Sequence, residues 1–392
     1  MLWPETPIEF LHVDAFEPEF CPRRGCAAHA PDFRGPLRFR REGSYRRTCD
    51  DRVVRRYRCL HCNRGFSAQS FSSTYYLKRP ELLTGVAEAL VAGSAHRQIA
   101  RTLHCAPNTV TRLSARLGRH AILLQSRLIQ EIPYIDEFLV HDDFETFAYS
   151  QEQPLGIGTT VGRQSWFVYA IQLAPHRRGG RKRRGSRKLR RRGKEMAARD
   201  LRRSYTRALR RILALLADKT PPGQRIVIST DDHPAYPLAM LEWPYARLFR
   251  HRVFPNPHRP YKGAPRSPEA RLRDREMFPV DALHALMRHS LAHFRRETIA
   301  FGRRHNAVME RAFVFVVWRN LIKGRSERRP DRTTPAMWLG LTDAAWDWSR
   351  LLAQRLFPSR LKVPEAWMRI YRRDWITPAV GQNQRHRLRN AF

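Results

Sequence analysis

Two apolar runs that each end in an aspartate pair restrict this chain more than any other feature. Phe138-Leu139-Val140-His141 leads into Asp142-Asp143, and Arg225-Ile226-Val227-Ile228-Ser229-Thr230 leads into Asp231-Asp232. Short runs of aliphatic and β-branched residues bounded by turn formers read as buried strands. Residues 156–161 and 166–171 add two more such runs on short turns, which predicts an antiparallel meander of three strands. A helix follows over about 200–217, marked by Leu201, Tyr205, Leu209, Ile212, Leu213 and Leu216 and closed by Pro221-Pro222-Gly223. Residues 246–254 supply a fifth strand. The order β-β-β-α-β-α-β-α describes an α/β chain in which the first and fourth strands become neighbours.

That order suits a ribonuclease-H-like mixed sheet, with Asp142 and Asp231 at one end of it. Carboxylates gathered there form a site for hard divalent cations, Mg²⁺ or Mn²⁺, which prefer oxygen ligands. Two such ions can clamp the attacking and leaving oxygens of an in-line phosphoryl displacement. The third acid is Glu310, in Asn306-Ala307-Val308-Met309-Glu310-Arg311. The run Ala312–Trp318 that follows is rich in β-branched residues, but the polar residues on both sides favour a helix, with Asn306 and Glu310 on one face. The bland reading of each aspartate is a turn former or helix cap, and that of Glu310 is a surface charge paired with Arg303 or Arg311. The doublets leave Asp142 against Asp143 and Asp231 against Asp232 open. His141, His233 and His305 lie beside the acids as supporting or structural residues.

The charge names the partner. The chain carries 73 Lys and Arg against 36 Asp and Glu, a net charge of +37. Such a balance suits a polyanion, because every neutralised phosphate releases condensed counterions. Residues 177–203 are more than half Arg and Lys. Arg183, Arg184 and Arg191 within that segment are candidates for clamping backbone phosphates. No run reaches the roughly 18 apolar residues of a membrane span, and the start lacks the pattern of a secretory signal. A cytoplasmic, nucleoid-associated protein with no membrane partner is expected.

Cys21-x4-Cys26 and Cys59-x2-Cys62 form two short-loop pairs that can present four thiolates to one tetrahedral Zn²⁺. The Cys59 knuckle, followed by Gly65-Phe66, has the character of a zinc ribbon; disulfides are the alternative in an oxidising compartment. His61 lies inside the turn and is expected to be exposed, and Cys49 and Cys105 to be small buried residues. Residues 80–118 then read as three helices, the second capped by Ser94 and the third starting at Asn108 after the turn His104–Pro107. This is a helix-turn-helix pattern, with Thr109, Arg112 and Arg116 as candidate DNA contacts at the recognition helix. A plain helical hairpin between two domains is the alternative. The expected organisation is a ribbon over 1–75, a helix-turn-helix module over 78–132, a catalytic domain over 134–325 with the basic insertion 177–203, and a helical, basic tail over 326–392.

Taken together, the ribbon, the helix-turn-helix, the blocks His141–Phe147 and Thr230–Tyr236, the Asn306…Glu310-Arg311 block and Thr334–Leu341 resemble bacterial insertion-sequence transposases of the DDE type. The resemblance covers roughly residues 20–360. It implies metal-dependent cleavage and strand transfer at Asp142, Asp231 and Glu310, recognition of the terminal inverted repeats, and an oligomer on element-end and target DNA. The basic insertion departs from the family pattern. A DNA-binding regulator with a silent core and a nuclease without strand transfer are the rival readings.

Overall fold

The computed structural model describes residues 3–151, 153–176, 203–241, 243–257, 261, 263–328, 332–377 and 380. The basic insertion, with Arg183, Arg184 and Arg191, lies outside the described residues.

The N-terminal region is built on a three-stranded antiparallel sheet, β1 (Phe39–Arg46), β2 (Val53–Cys59) and β3 (Gly65–Ser67). The tight return from β2 to β3 passes through Asn63 at φ 52°, a left-handed conformation that asparagine tolerates. Tyr57 of β2 stacks on Phe66 at 5.5 Å and meets Phe39 edge-on at 5.4 Å, so one aromatic from each strand closes a small core.

Three helices follow: α1 (Leu82–Val91), α2 (His96–Thr102) and α3 (Pro107–Glu131). Ala95, not Ser94, stands at the start of α2, and its N–H is satisfied by the Gln98 side chain at 2.8 Å. His104, at φ 47°, turns the chain between α2 and α3. Pro107 occupies the first turn of α3, where its missing N–H costs nothing. The third helix is far longer than a recognition helix needs, at 25 residues. Apolar positions continue past Leu113 through Leu117, Ala121, Leu124 and Leu128, and all of these are buried.

The central sheet holds β4 (Leu139–Phe147), β5 (Pro154–Gly162), β6 (Val168–Pro175), β7 (Ile226–Thr230) and β8 (Phe249–Val253), in the order β6-β5-β4-β7-β8. The first three pair antiparallel, while β7 lies parallel to both β4 and β8. The architecture is mixed α/β. Helix α4 (Ser204–Leu216) follows the basic segment and packs Leu209, Ile212 and Leu213 against β5 and β6. Short α5 (Ala235–Met240) bridges β7 to β8. Helices α6 (Pro268–Glu276), α7 (Phe278–Ser290) and α8 (His305–Leu321) come after β8. The β-branched run 312–318 is thus helical: burial of α8 against α3 and β6 overrides its local preference.

Residues 332–377 form no detached tail. Short helices α9 (Pro335–Trp338), α10 (Trp348–Leu351) and α11 (Glu365–Tyr371) place Trp346, Trp348, Leu351, Trp367 and Ile370 in the same core as the central sheet. The reason lies in composition: large aromatics bury too much apolar area to stay in solvent. That core runs continuously from Leu82 to Tyr371 and also takes in Trp3, so the three-helix module and the sheet share one interior. Among the described residues, no helix is long and apolar enough to cross a membrane.

Candidate functional site

The two cysteine pairs converge. The Sγ atoms of Cys21, Cys26, Cys59 and Cys62 all lie within 4.8 Å of one another, with 3.8 Å between Cys21 and Cys62 and 3.8 Å between Cys26 and Cys59. All four are free thiols, so the disulfide alternative is not what the chain forms here. Burial pushes the Cys21 thiol well up, and the neighbouring cysteines add to it. A bound cation relieves that repulsion, because metal binding draws the protons off. This group could hold one metal ion. His61 is exposed and accepts from the Arg38 N–H at 3.3 Å, outside the cluster. Cys49 is exposed rather than buried, and Cys105 is half-buried. His29, which sequence reading passed over, is buried and joins the Cys21 carbonyl (2.7 Å) to Ser359 (2.6 Å), tying the cluster to the C-terminal segment.

The second centre lies where β4 meets β7. Val140 stands opposite Ser229 in the parallel register, and the chain leaving β7 at Thr230 brings Asp231 to the same end of the sheet as Asp142. Strand alternation separates the doublet. Asp142 shares a face with its partner Thr159, which is covered by α7. Asp143 and His141 turn to the α4 face, where Gly158 leaves room for both: a Cβ there would stand 3.3 Å from Asp143 Oδ1 and 3.2 Å from the His141 ring. Tyr236 from α5 spans the two faces, its hydroxyl 3.1 Å from Asp142 Oδ1 and 3.2 Å from Asp143 Oδ2. The Asp143 N–H also reaches Asp142 Oδ1 at 2.8 Å.

Burial raises the Asp142 carboxyl to about 7, and the charge of Asp231 adds to the effect. Burial, with Asp142 next to it, holds Asp143 well above the usual carboxylate range. Asp231 accepts the His233 N–H at 3.0 Å, whereas Asp232 is exposed. Asp142 and Asp231 are half-buried and close enough to interact through their charges, with Asp143 buried behind Asp142. His141 donates to or accepts from Thr160 at 2.8 Å and sits 3.9 Å from Asp143; burial drives its pKa down to about 3. His284, absent from the sequence reading, lies 3.7 Å from Asp142 Oδ2 and 2.6 Å from the Thr159 hydroxyl. Its pKa is likewise pushed down to about 3, by burial first and then by Arg288.

Glu310 does not join them. Asn306 and Glu310 do share one face of α8, but that face looks toward α3 and the C-terminal segment. Glu310 receives two hydrogen bonds from Arg373, at 2.8 and 3.0 Å, and lies 3.9 Å from Arg119. Asn306 donates to the Trp375 carbonyl at 2.7 Å, and the His305 N–H to Thr377. Gly118 makes this approach possible, since a Cβ there would stand 2.4 Å from the Glu310 Cβ. The expectation of a triad is corrected accordingly: among the described residues, Asp142, Asp231 and Glu310 form no group able to share one ion. In a chain this basic, a buried acid is readily claimed by arginine.

The proposed DNA contacts divide. Arg112 is exposed and Thr109 half-buried near the start of α3. Arg116 is buried, and its guanidinium donates to the Ser73 carbonyl at 3.0 Å and the Tyr75 carbonyl at 2.5 Å, so it serves packing and not a groove. A cleft of about 1090 Å³ between the ribbon and residues 355–359 is lined by Arg23, Arg24, Arg46, Lys78, Tyr45 and Tyr76, well suited to a phosphate backbone. No family model matches this chain, and no curated protein matches it.

Proposed function

We propose that this chain is a DNA-cutting and DNA-joining enzyme, a transposase of an insertion element, acting at the Asp142–Asp231 end of the central sheet. One observation carries the reading: in the order β6-β5-β4-β7-β8, the parallel pairing of β4 and β7 brings Asp142 and Asp231 to one end of the sheet, where the charge of Asp231 helps to raise the Asp142 carboxyl. That order is the one expected of a ribonuclease-H-like sheet. The donors fit a hard cation, because a carboxyl forced up to about 7 by burial and a second carboxylate is relieved by positive charge. Asp142 and Asp231 would hold Mg²⁺ or Mn²⁺, which when bound stabilises charge on the attacking and leaving oxygens of a phosphoryl displacement.

The chain's own residues supply position. Tyr236 and the Asp143 N–H fix Oδ1 of Asp142, leaving Oδ2 turned toward His284 of α7. In the first step a water oxygen bonds to phosphorus as the P–O3′ bond breaks, freeing a 3′-hydroxyl. In the second that hydroxyl displaces a 3′-oxygen of target DNA. The four cysteines would hold a structural Zn²⁺ in a zinc ribbon, and Thr109 and Arg112 would meet the element's terminal repeat. Synapsis of two ends calls for at least two copies of the chain.

A second reading has one observation in its favour. The engagement of Glu310 by Arg373 fits a DNA-binding regulator whose core has fallen silent. Joining of a labelled element-end duplex into plasmid, with wild type compared with Asp142→Asn and Asp231→Asn, separates the two. Joined product that disappears in both variants supports the transposase. Binding without cleavage supports the regulator, and cleavage without joining a nuclease.

A further inference from the structure

We infer that the cleft between the N-terminal ribbon and residues 355–359 binds single-stranded DNA, gripping its phosphates with Arg23, Arg24 and Lys78 and stacking its unpaired bases on Tyr45 and Tyr76. The choice of DNA over RNA rests on the reading above, whereas the unpaired strand follows from the cleft itself. None of the lining residues belongs to the central sheet, so this is a second place of contact, apart from Asp142 and Asp231.

Charge selects a polyanion. Six of the lining residues are Arg or Lys, and none is Asp or Glu. Arg46 and Arg47 are answered by Asp51 and Asp50, and Arg355 lies over the Tyr75 and Phe357 rings. Arg23, Arg24 and Lys78 are exposed, and no ion pair holds them among the described residues. Arg23 makes only a long contact of 3.4 Å to the Gly65 carbonyl. Such cations are available to phosphates, with release of condensed counterions as the gain. Arg23 and Arg24 lie in the loop between Cys21 and Cys26, so the turn that presents two thiols to a metal also fixes two cations in the cleft wall.

The aromatics select an unpaired strand. Tyr76 is 68% exposed and Tyr45 39% exposed, although burial ordinarily claims rings of this size. Tyr76 takes φ 61°, a left-handed backbone that tyrosine rarely adopts. Its ring rests edge-on against Tyr75 at 4.5 Å, and Tyr75 is held in turn by the Arg355 guanidinium, 4.6 Å from its ring. In a duplex the bases cover one another's faces and offer only their edges to the grooves. A tyrosine face therefore finds a partner only where bases are unpaired, and any base serves because each has a π-face. The opposite wall is already in place: Phe357 meets Phe20 at 5.2 Å and Phe71 at 5.7 Å, and the Arg355 N–H reaches the Phe71 carbonyl at 2.6 Å. A preformed wall lowers the ordering cost of binding. The volume, about 1090 Å³, exceeds the roughly 300–1,000 Å³ of small-molecule sites and suits a short run of nucleotides.

The test uses the full-length protein with its cysteine site left loaded. Binding of fluorescein-labelled oligothymidylate, alone or annealed to oligoadenylate, is followed by anisotropy across a salt series. The same strand carrying 5-iodouracil is photo-crosslinked and its adducts are mapped by mass spectrometry. Wild type is expected to prefer the single strand and to form adducts at Tyr45 or Tyr76. Tyr76→Asn, whose side chain tolerates the left-handed backbone, is expected to bind the single strand about 5–150-fold more weakly, the worth of one stacked base. Its affinity for the duplex should match wild type, and Tyr76→Trp should keep the preference. The double variant Arg23→Gln, Arg24→Gln is expected to flatten the logarithmic salt slope by about 1.4, the share of two contacts on a single strand. Circular dichroism and metal content report whether each variant is folded and loaded. Unchanged single-strand binding by folded Tyr76→Asn, adducts confined to other peptides, or tighter binding of oligouridylate than of oligothymidylate overturns the inference. The two proposals fail separately. A chain that joins no DNA yet loses its single-strand preference in Tyr76→Asn keeps the cleft and loses the transposase. A chain that joins DNA while Tyr76→Asn binds oligothymidylate unchanged loses the cleft alone.

Discussion

Replacing Glu310 with glutamine tests whether this acid belongs to packing or to chemistry. The side chain is 1% exposed and holds two hydrogen bonds from Arg373, with Arg119, itself 8% exposed, close by. Removing one partner of a buried pair strands the other charge at a cost of about 3–5 kcal/mol. Arg373 is 26% exposed and can turn partly to water, which lowers the expectation to about 2–4 kcal/mol. At roughly 2 °C per kcal/mol for a large core, thermal melting should fall by about 4–8 °C. Melting is followed by far-ultraviolet circular dichroism on wild type, Glu310→Gln, Arg373→Met and the double variant. The double variant should recover part of the loss, giving a coupling energy of about 1–3 kcal/mol. At a temperature where the single variant is folded, DNA joining should persist. A Glu310→Gln protein that melts with wild type but joins no DNA would falsify this account and return Glu310 to the catalytic set.

Asp142 gives a pH prediction. Its folded pKa is raised to about 7 from 3.8, so its contribution to stability is present below pH 4 and is lost as pH rises toward 7. Metal-free Asp142→Asn should therefore outlast metal-free wild type at pH 8 in urea, and divalent cation should narrow the gap by stabilising wild type. Arg116→Ala should leave the Ser73 and Tyr75 carbonyls without their donor, lowering stability by about 1–3 kcal/mol. Its affinity for DNA at temperatures where it is folded should match wild type, whereas Arg112→Ala should bind more weakly and with a shallower salt dependence. Cys59→Ser should reduce metal content measured by native mass spectrometry from one Zn²⁺ to none. It should also expose the small core of Ala28 and Leu37 to proteolysis while leaving the central sheet protected.

Strands were legible because their apolar runs are short and sharply bounded, and two aspartates at one end of the sheet follow once β4 and β7 pair. The cysteine cluster was legible because loop spacing alone brings each pair of thiols together. Local pattern also placed Asn306 and Glu310 on one helical face. Which way that face looks depends on Gly118, Arg119 and Arg373, partners far away along the chain, and no local signal carries that. His284 was hidden for a similar reason: it sits between the buried Leu283 and Met287 on an ordinary amphipathic helix, and only the packing of α7 on the sheet brings it to Thr159 and Asp142. Arg116 looked like one more basic residue in a basic chain until two backbone carbonyls claimed it. The length of α3 was readable and was cut short, since Leu117, Ala121, Leu124 and Leu128 continue the same stripe.

That long helix has a mechanical consequence. Its first turns present Arg112 to solvent, while its middle and end are welded into the interior beside α8 and the sheet. A rod of 25 residues rising about 1.5 Å each is roughly 37 Å long, a length of about eleven stacked base pairs. If its free end grips DNA, the distance from gripped bases to cut phosphate becomes a property of the protein, set like the jaws of a caliper. Substrates with a base pair inserted between those points should then fail more completely than substrates with a base exchanged there.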